Sequence, residues 1–179
     1  KDERFKTSEQ PMYSRKQRPV VRSPLSPLEI GIEVVALASI ALSIYLAVDA
    51  WTILPARIPG HFNLAGQPDA YSNKSDLLFY PIFSSIAYIL MTLLSRIPQF
   101  FNYPWAITEE NAARQYRLAR GLINWLKLLL IWILLYAEWL TIQVATKQAT
   151  GPGALGFIGL VLCMLLSTAA YIVVARRAR

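Results

Sequence analysis

Four apolar runs, at 28–48, 77–94, 122–144 and 154–175, decide what this chain can fold into. A hydrocarbon core about 30 Å thick is crossed by about 20 mostly apolar helical residues, and each run is near that length. Helices of a soluble bundle would carry polar outer faces, which these runs lack. The first run is too long for a secretory leader and has no small-residue cleavage site. Composition agrees, with 55% of the 179 residues hydrophobic, above the roughly 45–50% of soluble domains. The single cysteine, Cys163, sits inside an apolar run as filler, so no disulfide framework is expected. The sequence predicts an all-α, polytopic membrane protein with transmembrane helices at 27–50, 76–97, 121–146 and 154–175. These form one membrane domain, 26–179, behind a basic arm at 1–25 that is expected to be flexible. The numbering opens on Lys1, so the initiating end is expected to lie upstream.

Lys and Arg mark the loops that stay inside. Lys1, Arg4, Lys6, Arg15, Lys16, Arg18 and Arg22 precede the first run. Arg96, Arg114, Arg117 and Arg120 lie between the second and third, and Arg176, Arg177 and Arg179 follow the fourth. The remaining two loops hold Arg57 with Lys74, and Lys147. This alternation predicts both termini inside and the loop between helices one and two outside. A bacterial plasma (inner) membrane is the expected location. The bilayer and other membrane proteins are the expected partners. No nucleic acid is expected, because the arm lacks a supporting fold or aromatic pattern.

Local signals set the helix ends. Ser26-Pro27-Leu28-Glu29 is a capping box with proline at the first helical position. The second helix is expected to begin near Ser75, capped by Ser75 or Asn73, to kink at Pro81 and to end at Pro98. Phe100, Phe101, Tyr103 and Trp105 suit a membrane interface. Thr108 should cap one long helix to about residue 146, or two joined by a bend at Gly121. At about 1.5 Å per residue it would be roughly 58 Å long, so its first turns should extend into the cytoplasm. Glu110, Asn111, Arg114, Arg117 and Arg120 are the candidate cytoplasmic contact residues there. Gly153, Gly156 and Gly159 give the fourth helix an edge for close packing.

Polar residues inside a membrane need partners, since a bare carboxylate in hydrocarbon costs about 3 kcal/mol or more. The candidates are Glu33, Asp49, Asn124, Lys127 and Glu138. On the third helix Asn124, Lys127, Glu138 and Thr141 cluster about 120° from Trp125, Trp132 and Trp139, at about 100° per residue. The polar stripe should face the bundle. The tryptophans should pack on lipid or neighbours, with a pigment or cofactor face as the alternative.

The segment "LPARIPGHFNLAGQPDAYSNK", residues 54–74, interrupts the apolar pattern. Pro55 and Pro59 fix two φ angles and remove two donors. Gly66 and Pro68 signal a turn. The segment predicts a short extracytoplasmic loop or a two-stranded hairpin from about 58 to 71. His61 and Asn63 would share one side of its first strand, with Asp69 approaching across the turn. Four local roles compete, one of them a recognition surface built on the cap described next. One is a hydrogen-bonded cap in which Asp69 accepts backbone N–H groups or pairs with Arg57 or Lys74. Another is a metal site from His61 and Asp69, completed by Asp49 or Glu138. The last is a catalytic site with His61 as general base, for which no nucleophile is evident. The ligand-or-cap set is therefore His61, Asn63, Asp69, Arg57, Lys74 and Gly66. No resident cofactor is expected.

In these residues the chain resembles the bacterial membrane family named domain of unknown function 1648. The shared pattern is Leu-Pro, then Ile-Pro-x-His-Phe-Asn, then Gly-x-Pro-Asp, an aromatic and Ser-x-Lys. A second stretch, "FNYPWAITEENAARQYRLAR", is similar to the family's Asn-Tyr-Pro and Glu-Asn segments, so the resemblance spans roughly 35–125. It implies functional positions at Pro55, Pro59, His61, Asn63, Gly66, Asp69, Lys74, Asn102, Pro104, Glu110 and Asn111. The family includes SdpI-type immunity and signalling proteins, in which the domain precedes further transmembrane helices. That setting implies protection against a secreted toxin and membrane recruitment of a repressor. This chain is expected to depart from that pattern, with four helices and without the added C-terminal membrane region. The leading expectation is a non-enzymatic membrane protein that binds an extracytoplasmic ligand or partner. The alternatives are an accessory subunit of a larger membrane complex and a metal-dependent membrane enzyme.

Overall fold

Ser26 starts the first helix as its neighbours dictate. Its hydroxyl accepts from the Glu29 N–H at 3.3 Å, while the Glu29 carboxylate accepts from the Ser26 N–H at 2.8 Å. Pro27 occupies the first turn, where its missing donor is not needed. The computed structural model describes residues 18–21, 24–63, 67–147 and 155–178. In it α1 runs Pro27–Ala50. Two antiparallel strands follow, β1 (Arg57–Phe62) and β2 (Pro68–Asn73). Of the all-α expectation, the hairpin is the part that is not helical.

A 3-10 turn, Lys74–Leu78, leads into α2, Phe79–Ser95. This corrects two expectations. Neither Asn73 nor Ser75 caps α2. Asn73 precedes the 3-10 turn without a side-chain cap bond, and the Ser75 hydroxyl turns to Asp76 at 3.4 Å. Because α2 starts at Phe79, Pro81 falls in its first turn, where no intrahelical donor is called for, and not a turn and a half inside. Past Ser95, Pro98 opens a short 3-10 turn, Pro98–Phe100.

Thr108 and Asn111 cap α3 reciprocally, and α3 runs unbroken through Gly121 from Glu109 to Ala145. Its 37 residues amount to about 56 Å at about 1.5 Å per residue. α4 runs Leu155–Arg177. Among the described residues four helical spans are long and apolar enough to cross a membrane, the second of them α2 taken together with the 3-10 turn from Lys74. Large apolar side chains such as Leu28, Val34, Tyr45, Leu90, Leu155 and Leu166 are exposed along them. In water such a surface would be unstable; a bilayer is the solvent that suits it.

α3 is the hub, packing against α1, α2 and α4. Its burial follows the predicted stripe, with Asn124, Lys127, Glu138 and Thr141 all at 0% exposure. Two apolar clusters sit along the bundle. One, near the hairpin, joins Ala47, Ala50, Leu54, Ile58, Leu77 and Ile142. The other, further along, joins Ile32, Ala36, Ile40, Leu128 and Ile131. A third, around Tyr103, Ile107, Ala112, Tyr116 and Ala119, lies at the end of the bundle away from the hairpin. There Gln115 of α3 donates to the Ala175 carbonyl of α4 at 3.0 Å.

The tryptophan stripe is used for packing between helices. Trp125 donates to Ser167 of α4 at 2.8 Å and Trp132 to Ser39 of α1 at 3.1 Å. Trp139 lies against Tyr136 and is partly exposed. α4 comes close to α3 at Gly156, where a Cβ would meet the Tyr136 ring at 2.5 Å. At Gly159 a Cβ would meet nothing within 4 Å. Gly153 and Gly66 lie outside the described residues.

Candidate functional site

The hairpin is fixed to the bundle from below. Ile58 of β1 is 1% exposed and packs into the cluster that includes Leu77 and Ile142. The ladder pairs Arg57 with Asn73, Ile58 with Ser72 and Pro59 with Tyr71, then shifts on both sides of His61. Gly60 sits at that irregularity because a Cβ there would meet the Ser72 side chain at 3.0 Å. The shifts leave His61 opposite Ala70, beside Asp69. His61 Nδ1 and Asp69 Oδ1 are 2.5 Å apart, with the side chains 69% and 45% exposed. Such a bulge re-aims a side chain out of the regular alternation of the strand.

The other hairpin candidates hold the scaffold. Arg57 donates to the Tyr71 carbonyl at 3.3 Å. Lys74 donates to the Trp51 carbonyl at 3.1 Å and lies 4.9 Å from the centroid of the Trp51 ring. Asp69 thus takes His61 as its partner, and not Arg57 or Lys74 as the cap reading expects. Asn63 falls past the end of β1, not on the strand face with His61. Its amide oxygen accepts from the Gln67 N–H at 3.0 Å and its own N–H donates back at 2.9 Å, which closes the turn. Asp49 is exposed near the same end of the bundle, whereas Glu138 is buried within it. Among the described residues no three His, Cys, Asp or Glu come together as a metal-binding group. The completion of a His61–Asp69 metal site by Asp49 or Glu138 is therefore not met. A cleft of about 560 Å³ opens between the hairpin and the start of α2, edged by Pro59, Gly60, Ser72, Asp76 and Phe79.

Inside the bundle the polar groups form tiers. At the end away from the hairpin, Arg120 grips Glu29 at 2.6 and 3.0 Å and donates to the Pro24 carbonyl at 3.1 Å. Arg120, expected as a cytoplasmic contact, is instead turned inward and buried, where its guanidinium compensates the buried carboxylate of Glu29. Of the same set, Arg114, Arg117 and Glu110 are exposed, and Asn111 is spent on the α3 cap. One tier further in, Lys127 donates to Glu33 at 2.6 Å and to Thr92 of α2 at 2.9 Å, with the Tyr88 ring centroid 4.6 Å away. Asn124 beside it is fully buried, and among the described residues neither its amide oxygen nor its amide nitrogen has a hydrogen-bond partner. Nearest the hairpin, the Ser43 hydroxyl of α1 donates to Glu138, and Tyr80 of α2 bonds Thr141 at 3.2 Å.

Several of these partners escape local sequence signals. Ser43, Thr92 and Trp51 sit in apolar or turn segments and gain meaning from cross-helix register. Arg18 is pinned by the Phe101 carbonyl at 2.7 Å and lies 5.4 Å from the Tyr103 ring centroid. Burial holds the Tyr103 phenol above its ordinary pKa, against the opposing pull of Arg18. Its hydroxyl donates to the Pro98 carbonyl at 3.0 Å, so Tyr103 ties the segment between α2 and α3 together. Most of the basic arm, residues 1–17 with 22–23, lies outside the described residues.

Residues 38–84, which cover the second half of α1, the hairpin and the start of α2, match the family model "Domain of unknown function (DUF1648)". An uncharacterized protein of Archaeoglobus fulgidus is 27% identical over 156 residues, covering 82% of this chain and 85% of its own length. No solved structure matches the chain.

Proposed function

We propose that this membrane protein, whose residues 38–84 match the domain of unknown function 1648, binds a partner or ligand through the His61–Asp69 hairpin on the extracytoplasmic face, without catalysing a reaction. The observation that carries the reading is the His61–Asp69 pair, mounted on a hairpin whose underside is locked into the bundle core and whose polar face stays open. A preformed platform binds without the entropy loss of ordering a loop. Next to the pair lie exposed Tyr71 and the cleft along Gly60 and Ser72, which offer an aromatic anchor and a groove. The Lys and Arg distribution supports both termini inside. Exposed Arg114 and Arg117 on the first turns of α3 would then face the cytoplasm and could pass a signal or hold a soluble protein. Immunity against a secreted toxin, or sensing of one, is the version that the family resemblance favours. The accessory-subunit reading draws on the broad apolar faces of α1 and α4, which a neighbouring membrane protein would cover as well as lipid does.

The test is copurification from native membranes in mild detergent after cross-linking, for the wild type and for the H61A/D69A double variant at matched membrane levels. The reading expects a protein or peptide captured by the wild type and lost from the variant. A partner retained in full by the variant points to the accessory-subunit reading and overturns the hairpin as the binding surface.

A further inference from the structure

Glu138 stands apart from the other carboxylates of the bundle. Glu29 has Arg120 and Glu33 has Lys127, both at 2.6 Å. No Lys, Arg or His among the described residues forms an ion pair with Glu138, although its side chain is 0% exposed. One carboxylate oxygen accepts from the Ser43 hydroxyl; the other has no hydrogen-bond partner among the described residues. A second unpartnered oxygen lies in the same tier. Ser84 of α2 is 1% exposed and its hydroxyl bonds to nothing described. The bonds Tyr80–Thr141 and Thr92–Lys127 set α2 antiparallel to α3, and between them the register brings Ser84 level with Glu138. Ser84 follows Tyr80 by four residues and Glu138 precedes Thr141 by three, so both share the faces that those bonds bring together. Buried oxygens from three helices, Ser43 of α1, Ser84 of α2 and Glu138 with Thr141 of α3, thus share one tier between the two apolar clusters.

An unpaired carboxylate in such surroundings is neutralised or it recruits a counter-charge. We propose that Glu138, Ser43, Ser84 and Thr141 form an intramembrane site for one small monovalent cation, sodium or a proton. The oxygen donors suit a hard cation, and the single charge of the carboxylate balances a single positive charge. The titratable group that faces the site from α2 is Tyr80. α1 offers Ser43, with Asp49 exposed nearer the hairpin. On α3 the nearest cation, Lys127, is already paired and lies about 16 Å along the helix at about 1.5 Å per residue. β1 packs Ile58 toward the bundle while Arg57 and His61 are turned outward, and the charged groups of α4 are Arg176 and Arg177 at its far end.

The experiment is labelling of the purified full chain in detergent by an apolar carbodiimide, which reacts with protonated carboxyl groups in apolar surroundings, read by peptide mass spectrometry. The site predicts modification at Glu138 and none there in the E138Q variant, which keeps an acceptor for Ser43 and should fold. Sodium chloride that suppresses labelling at least five-fold, where choline chloride does not, identifies sodium. S84A should then weaken that protection several-fold. Labelling that ignores sodium but falls at least five-fold between pH 5 and pH 9 identifies the proton. Labelling unchanged by both sodium and pH marks a permanently neutral structural carboxyl and overturns the site, as does the absence of labelling at Glu138.

Discussion

The ammonium of Lys127 on α3 lies 2.6 Å from the carboxylate of Glu33 on α1, in a tier where Lys127 is fully buried. Each charge is tolerable there because of the other, and Thr92 and the Tyr88 ring complete the shell of the ammonium. Removing one partner leaves a bare charge in an apolar bundle, which costs about 3–5 kcal/mol, whereas removing both is often close to neutral. The expected order is therefore K127M far less stable than the E33Q/K127M double variant, with a coupling of about 0.5–3 kcal/mol. Denaturant or thermal unfolding in detergent checks it. Additive losses would mean that the two groups do not depend on each other.

The exposed hairpin pair should behave in the opposite way. His61 and Asp69 meet in water, and exposed ion pairs contribute about 0–1 kcal/mol. D69N should leave the melting temperature nearly unchanged while weakening partner capture at least ten-fold. A large fall in melting temperature would assign the pair to holding the helix ends together, and the recognition reading would lose its main support.

Glycines on α4 separate packing from open surface. Gly156→Ala places a methyl group against the Tyr136 ring, and such overpacking costs about 1–3 kcal/mol. Gly159→Ala meets nothing and, by helix propensity, should stabilise by up to about 1 kcal/mol. Unfolding of the two single variants in the same detergent checks this. Equal effects would contradict the close α3–α4 contact.

How much of this could be seen in the sequence depends on the range of the interactions. α1 at 27–50 was legible because the capping box and the apolar run both lie within one segment. The length of α3 was legible because proline is absent from it and Thr108 caps it. The start of α2 is harder to read because the span from Lys74 opens as a 3-10 turn before it becomes an α-helix at Phe79, which leaves Pro81 in the first α turn. Periodicity placed Asn124, Lys127 and Glu138 on one inward face, yet it could not name their partners. Glu29 and Arg120 are 91 positions apart, and only the helix register joins them. The approach of Asp69 to His61 was legible from a turn signature eight residues wide. The inward places of Ser43, Thr92 and Ser84 were hidden because a serine or threonine in an apolar run looks the same whether it faces lipid or the bundle.

The proposal stands or falls on topology, and substituted-cysteine labelling in intact cells tests it most directly. In a C163A background, single cysteines are placed at Tyr71 on the hairpin and at Arg117 on α3, then exposed to a membrane-impermeant maleimide. The expected result is modification at position 71 in intact cells and at position 117 only after permeabilisation. Modification of both positions from the same side would contradict a hairpin held across the bilayer from the arginine-bearing end of α3.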